Sequence, residues 1–117
     1  EGGLATAVAE LSAAGRHKIR VYLDRIPVLP ETRKLCRLLE LDPLGLIGSG
    51  SLLIACDRSA CHRLVSSIQQ AGIDAICIGE VLELGVGVEA VNEARGSVVP
   101  WPHFEVDEIT RLWGRAR

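Results

Sequence analysis

Two glycine-containing segments are the first candidates for chemistry. Gly2 and Gly3 open the first helical pattern. Residues without side chains let a ligand approach the backbone, and the free amides of a first helical turn attract anions, a phosphate above all. An ordinary turn at a helix start uses the same two residues, so spacing alone leaves both readings open. The second segment, Gly48-Ser49-Gly50-Ser51, stands just before an apolar run. Glycines alternating with hydroxyls can form a backbone anion nest or face a nucleotide across a cleft. No Lys follows the last glycine and the segment leads into a strand pattern, so it is not a P-loop. A tight connection whose hydroxyls satisfy free amides is the plainer reading.

Other polar residues offer less. Glu80 follows Gly79 at the end of an apolar run, where it either projects into a cleft or pairs with a neighbouring basic group. His17, His62 and His103 are far apart and none stands beside a nucleophile, so no nucleophile–base pair can be named and the catalytic residues are unknown. Cys36, Cys56, Cys61 and Cys77 lie inside apolar elements at spacings that match no common zinc pattern. They are expected to be reduced core thiols, and no metal ligand is assigned. Trp101-Pro102-His103-Phe104 is either an aromatic partner anchor or a lid that pins the last helix, the lid being favoured.

The elements that must position these residues follow from periodicity. Leu4, Val8 and Leu11 recur at helical spacing and Gly15 follows as a stop. Ile19, Val21 and Leu23 alternate with polar residues as a half-buried strand. Pro30 starts a helix whose inner face is expected at Thr32, Leu35, Cys36 and Leu39. Ser51 to Cys56 reads as a continuous apolar strand, central in its sheet. Asp57 caps a helix with its stripe at Cys61, Leu64, Val65 and Ile68, closed by Gly72. Ile73 to Leu84 reads as a strand, and Val86, Val88 and Ala90 as an antiparallel return strand. Pro100 and Pro102 predict a loop from Gly96 to His103. A last helix carries Val106, Ile109, Leu112 and Trp113, with Asp107 and Glu108 at its positive end and Arg115 and Arg117 at its negative end. The expected order is αβαβαββα, an α/β (α+β) domain with a mixed sheet of about four strands covered by helices. A ferredoxin-like fold is the structural alternative.

Composition sets the outer bounds. The 117 residues suit a single domain, and 48% hydrophobic residues with four aromatics suit a closely packed aliphatic core. A formal net charge of −2 with scattered Lys and Arg argues against a nucleic-acid partner. The apolar runs are too short to span a bilayer, so no membrane partner is expected, and a cytoplasmic location is. The chain opens on Glu1 and contains no Met, which reads as an internal segment of a longer protein.

Several motifs occur in a telling order: Gly2-Gly-Leu-Ala-Thr-Ala7, Ile26-Pro-Val28, Leu41-Asp-Pro-Leu44, Gly50-Ser-Leu-Leu-Ile-Ala55 and Ala75-Ile-Cys-Ile-Gly-Glu-Val81. From Gly2 to Val91 the chain resembles the C-terminal domain of the AIR synthase-related proteins. That group includes aminoimidazole ribonucleotide synthase, selenophosphate synthetase and the hydrogenase maturation factor HypE, and the flavour here is HypE-like. The resemblance implies that residues 1–117 form one domain lacking an N-terminal ATP-binding domain, with which it would close an active-site cleft. It implies ATP and magnesium in the full-length parent, mostly held by the missing domain, and none for the fragment alone. The parent is expected to be a homodimer that phosphorylates or activates a small molecule or acyl group. The fragment is expected to be inactive by itself, the alternative being a non-catalytic binding or assembly module. The resemblance places Gly2 and Gly3 near the nucleotide phosphates and Gly48, Ser49, Gly50 and Ser51 on the cleft. Two departures stand out: HypE proteins carry a Glu where this chain has Ser49, and end in a Cys-bearing tail, whereas no Cys follows Cys77 here.

Overall fold

The computed structural model describes residues 1–115. Its helices are α1 (Gly3–Gly15), α2 (Pro30–Leu39), α3 (Arg58–Gln70) and α4 (Thr110–Arg115), and its strands are β1 (His17–Tyr22), β2 (Gly79–Leu84), β3 (Val88–Asn92) and β4 (Ser97–Pro100). Short 3-10 turns at Leu23–Arg25 and Pro43–Gly45 follow β1 and α2. The strands form one mixed sheet in the order β2-β1-β3-β4, with β1 parallel to β3 and both edge pairs antiparallel. This is the mixed four-stranded α+β sheet expected. The ferredoxin-like alternative fails because β2, β3 and β4 follow one another with no helix between them.

Strand β1 alternates as its sequence demands. Ile19 and Val21 are buried and pack with Val8 of α1, while Leu4, Leu11, Ile26, Leu53, Val88 and Trp101 close around them. Arg20 and Tyr22 point to the opposite face. Burying such an aliphatic cluster stabilises the fold by about 25 cal/mol for each Å² withdrawn from water. Ser12, also buried, donates to the His17 carbonyl at 2.7 Å and accepts from the Gly87 amide at 2.9 Å, tying α1 to the starts of the parallel strands β1 and β3. Gly79 faces Val21 across the sheet, and a Cβ there would overlap the Arg20 carbonyl.

The strand composition differs from expectation in five places. The return strand expected at Val86, Val88 and Ala90 begins only at Val88 and, in place of turning back against β2, pairs parallel with β1. Ser51 to Cys56 is not a central strand: it is an extended segment off the sheet, with Leu52 82% exposed and Leu53 turned to the core. Both edges of β1 are taken by β2 and β3, so this run has no place at the centre of the sheet; an apolar run reports burial propensity, not a partner. The strand expected from Ile73 to Leu84 begins only at Gly79. Tyr22 donates its amide to the Ile78 carbonyl at 2.8 Å, and then β1 ends in the 3-10 turn Leu23–Arg25, leaving 73–77 without a strand partner. That turn also takes Leu23 out of the strand. The loop expected from Gly96 to His103 contains β4, because an edge strand tolerates a terminal proline such as Pro100.

The helices hold closer to expectation. In α3, Cys61, Leu64, Val65 and Ile68 are all half-buried, and Gly72 follows with φ +83°. Helix α2 departs: only Cys36 is buried, while Leu35 is 57% and Leu38 72% exposed, so its leucines form an outward apolar surface. The last helix is short and starts only at Thr110. Arg117 and the Arg115 side chain lie outside the described residues.

Candidate functional site

Gly2 is the N-cap of α1, buried, with φ +73° and no side chain to cap with. Its amide donates instead to Asp107 Oδ2 at 3.0 Å, so the start of this helix holds a carboxylate supplied from the far end of the chain. Gly3 lies against the 3-10 turn Pro43–Gly45: a Cβ there would overlap the carbonyl oxygens of Leu44 and Leu46. The first candidate segment is therefore also a packing joint. Two residues beyond Leu46 the chain enters the second candidate, an exposed turn in which the Ser51 amide donates to the Gly48 carbonyl at 2.9 Å. The fold thus brings the two segments next to each other through Leu44–Leu46, with Gly2 and Gly3 packed and Gly48, Ser49, Gly50 and Ser51 open to solvent.

Asp107 and Glu108 hold this joint, a role that sequence reasoning missed by placing them only at the positive end of the last helix. Both are about 95% buried. Asp107 also accepts from the Ile109 amide at 3.1 Å. Glu108 accepts from the Asp42 amide at 2.8 Å and from Arg111 at 3.0 Å, and its own amide donates to the Gly45 carbonyl at 3.0 Å. Phe104 packs on Gly45, and Trp101 Nε1 donates to the Ala5 carbonyl at 2.9 Å. The Trp101–Phe104 segment therefore packs on α1 and the Pro43–Gly45 turn, whereas the lid expected was one that pins the last helix to the sheet. No local signal marks these acids, since paired carboxylates before a helix ordinarily serve that helix's own first turn.

A shallow groove of about 180 Å³ runs beside the joint, lined by Ile26 and Val28 of the Ile-Pro-Val motif, Arg33, Asp42, Pro43 and Leu44. It is smaller than cavities that enclose a nucleotide-sized ligand, which run from about 300 Å³.

Glu80 takes the pairing reading. It accepts from the Tyr22 hydroxyl at 2.5 Å and from Arg58 at 2.6 Å, with Arg20 at 3.6 Å. Arg20 also bonds Glu89, and Arg25 stacks over the Tyr22 ring at 4.2 Å, so one sheet face is a connected charged network. The Tyr22 hydrogen bond holds the Glu80 carboxyl below its ordinary value of 4.5; burial, the next largest effect, opposes it, and the charges of Arg58, Arg20 and Arg25 add to the lowering. A depressed folded-state value favours folding when the group is ionised. The contribution is complete above the ordinary value and drains away as pH falls through the depressed one. Glu80→Gln should therefore flatten the acid limb of a Tm-against-pH curve below about pH 4.5, while an unchanged slope would show that the network adds nothing there.

The thiols correct the sequence expectation. Only Cys36 is buried in the core; Cys61 is half-buried and Cys56 and Cys77 are exposed, because the segments carrying them lie off the sheet.

The helix-capped mixed sheet and its glycine joint define a class. The sequence pattern described as "AIR synthase related protein, C-terminal domain" matches residues 1–92, and the chain belongs to that family. Within it, the chain is similar to carbamoyl dehydratase HypE of Escherichia coli (strain K12), 37% identical over 84 residues, covering 70% of this chain and 25% of the relative. The HypE of Cupriavidus necator is 38% identical over 88 residues, covering 72% and 24%. The crystal structure of E. coli HypE superposes with a TM-score of 0.77 at 34% identity, over 90% of this chain and 33% of that one. A chain of a HypE–HypF complex gives 0.76 at 25% identity, over 86% and 34%. The chain spans about a quarter of the length of the curated relatives it matches. Among the described residues, no helix is long and apolar enough to cross a membrane.

Proposed function

We propose that this chain is the cleft-closing, C-terminal domain of a HypE-like, ATP-dependent enzyme that phosphorylates or activates a small molecule or acyl group. It acts with an N-terminal domain of the same protein and is not active alone. The observation that carries this reading is the family match over residues 1–92 joined to relatives of which the match covers only a quarter. The geometry supports it: the Gly48–Ser51 turn stands open beside a helix start that already accommodates a carboxylate, and the neighbouring groove is too small to enclose a nucleotide. ATP and magnesium then meet most of their ligands on the missing domain, and Gly48, Ser49, Gly50 and Ser51 border the phosphates from this side. Gly2 and Gly3 shape the joint that presents them. Ser49 in place of an acid points away from a strict carbamoyl dehydratase.

The exposed leucines of α2 favour a second reading, a non-catalytic assembly module that keeps the fold and docks through Leu35 and Leu38. The two are separated by magnesium-dependent ATP binding and ADP release in the full-length protein and in its Gly48→Asp variant. That substitution places a negative charge on the open turn at a position with only Ser51 nearby, at 3.6 Å. The enzyme reading expects ADP release by the parent and at least a tenfold loss in a variant whose circular dichroism is unchanged. A parent that neither binds ATP nor releases ADP would establish the assembly module instead.

A further inference from the structure

Helix α2 is amphipathic, yet its apolar flank faces out. Leu35 and Leu38 stand three residues apart on one flank and both are exposed, while only Cys36 is buried. A helix patterned this way ordinarily buries its apolar stripe. Beside the leucines runs a basic row: Arg33 and Arg37 stand four apart, with Lys34 next to Leu38, and all three cations are exposed. Within Pro30–Leu39 they meet one carboxylate, Glu31. Among the described residues none of the three makes an ion pair, whereas Lys18, Arg20, Arg25, Arg58 and Arg111 each hold an acid. Apolar surface and unneutralised charge therefore coincide on one short helix.

We propose that α2 docks an acidic amphipathic helix of a second protein. Leu35 and Leu38 take the partner's apolar side chains, and Lys34, Arg37 and Arg33 take its carboxylates. Charge complementarity selects this occupant, since whatever covers the leucines must also answer three free cations. A helix offers no strand edge, so an extended segment gains no ladder here, whereas a second helix packs its ridges against those of α2. A second copy of this chain would set the same three cations against each other. A lipid surface favours aromatic anchors, and Pro30–Leu39 contains none. Exposed charges steer encounter but are screened by salt, so the docking is salt-sensitive. The inference deepens the docking role given above to Leu35 and Leu38, and it stands whether or not the parent also turns over ATP.

The probe is a stapled, fluorescein-labelled helix of about 18 residues, with leucines at heptad spacing and glutamates between them. Titrated into the purified full-length protein, it should give saturable fluorescence anisotropy. Binding should weaken at least tenfold in the double variant Lys34→Glu, Arg37→Glu and in the double variant Leu35→Ser, Leu38→Ser. It should also weaken several-fold as salt rises from about 50 to about 300 mM. Both variants should keep Tm within about 2 °C of the parent, because all four residues are exposed. Any ADP release by the parent should be the same in both, so the docking and the ATP reading fail separately. A probe with lysines for glutamates should not bind. Equal binding by a probe with serines for leucines would reduce the contact to charge attraction and overturn the proposal. No saturation up to about 1 mM probe would overturn it too, as would tighter binding to phosphatidylserine vesicles than to the probe. Dimerisation of the parent that Leu38→Ser abolishes would make the occupant a second copy instead. In a full-length Leu38→Cys variant, N-ethylmaleimide should modify the new thiol as fast as the exposed Cys77; a shielded thiol would show that the protein's own chain covers α2.

Discussion

Gly3→Ala should cost about 3–5 kcal/mol, most of the margin of a small domain. Two effects add. Gly3 has φ +63°, where an L side chain is strained by about 1–3 kcal/mol. Its new Cβ would also overlap two backbone carbonyl oxygens, Leu44 and Leu46, which cannot rotate away as a side-chain end would. The Pro43–Gly45 turn would have to leave α1, taking with it the Gly45 carbonyl that Glu108 holds. Gly48→Ala is the matched control. Its nearest neighbour is Ser51 Oγ at 3.6 Å, an ordinary contact, so the change should stay within about 0.5 kcal/mol. Urea unfolding of the two variants checks this directly. A Gly3→Ala protein as stable as its parent would mean that the turn does not dock on α1. The result bears on function too: lost ATP turnover in a Gly3 variant reports a broken joint as readily as a lost phosphate contact, whereas Gly48 variants report on the open turn.

Asp107→Ala should be the next most damaging, at about 2–3 kcal/mol, or about 10 °C in Tm. Asp107 is 6% exposed and its carboxylate takes the amides of Gly2 and Ile109, so truncation leaves the buried Gly2 amide without its acceptor. Asp107→Asn keeps the shape and one acceptor oxygen, and should recover about half the loss. Hydrogen exchange localises the effect: protection should fall first at the start of α1 and in residues 42–46. If exchange rose only in 107–112, the carboxylate would be serving its own helix alone, and the clamp on α1 would be refuted.

Much of this was legible in the residues. Leu4, Val8 and Leu11 at helical spacing put α1 on the sheet, and Ile19 and Val21 alternating with Arg20 and Tyr22 gave β1 its two faces. The Cys61, Leu64, Val65 and Ile68 stripe placed α3, and the ordered glycine and proline motifs placed the family. These are local signals, set by the period of an element or by a turn that only certain residues can make.

Tertiary structure decided whatever required knowing a partner. Ser51 to Cys56 is apolar enough for a central strand, yet β1 has two edges, and β2 and β3 occupy both. Pro100 ends a strand because its strand is at the sheet edge. Asp107 and Glu108 sit more than a hundred and more than sixty residues from the Gly2 and Asp42 amides they hold, beyond the reach of any periodicity. The same holds for the thiols: four cysteines in apolar runs look alike, and only the fold sets Cys36 in the core and leaves Cys56 and Cys77 exposed. A sequence records what each segment can bury, while the number of sheet edges and the long-range hydrogen bonds decide which segments do.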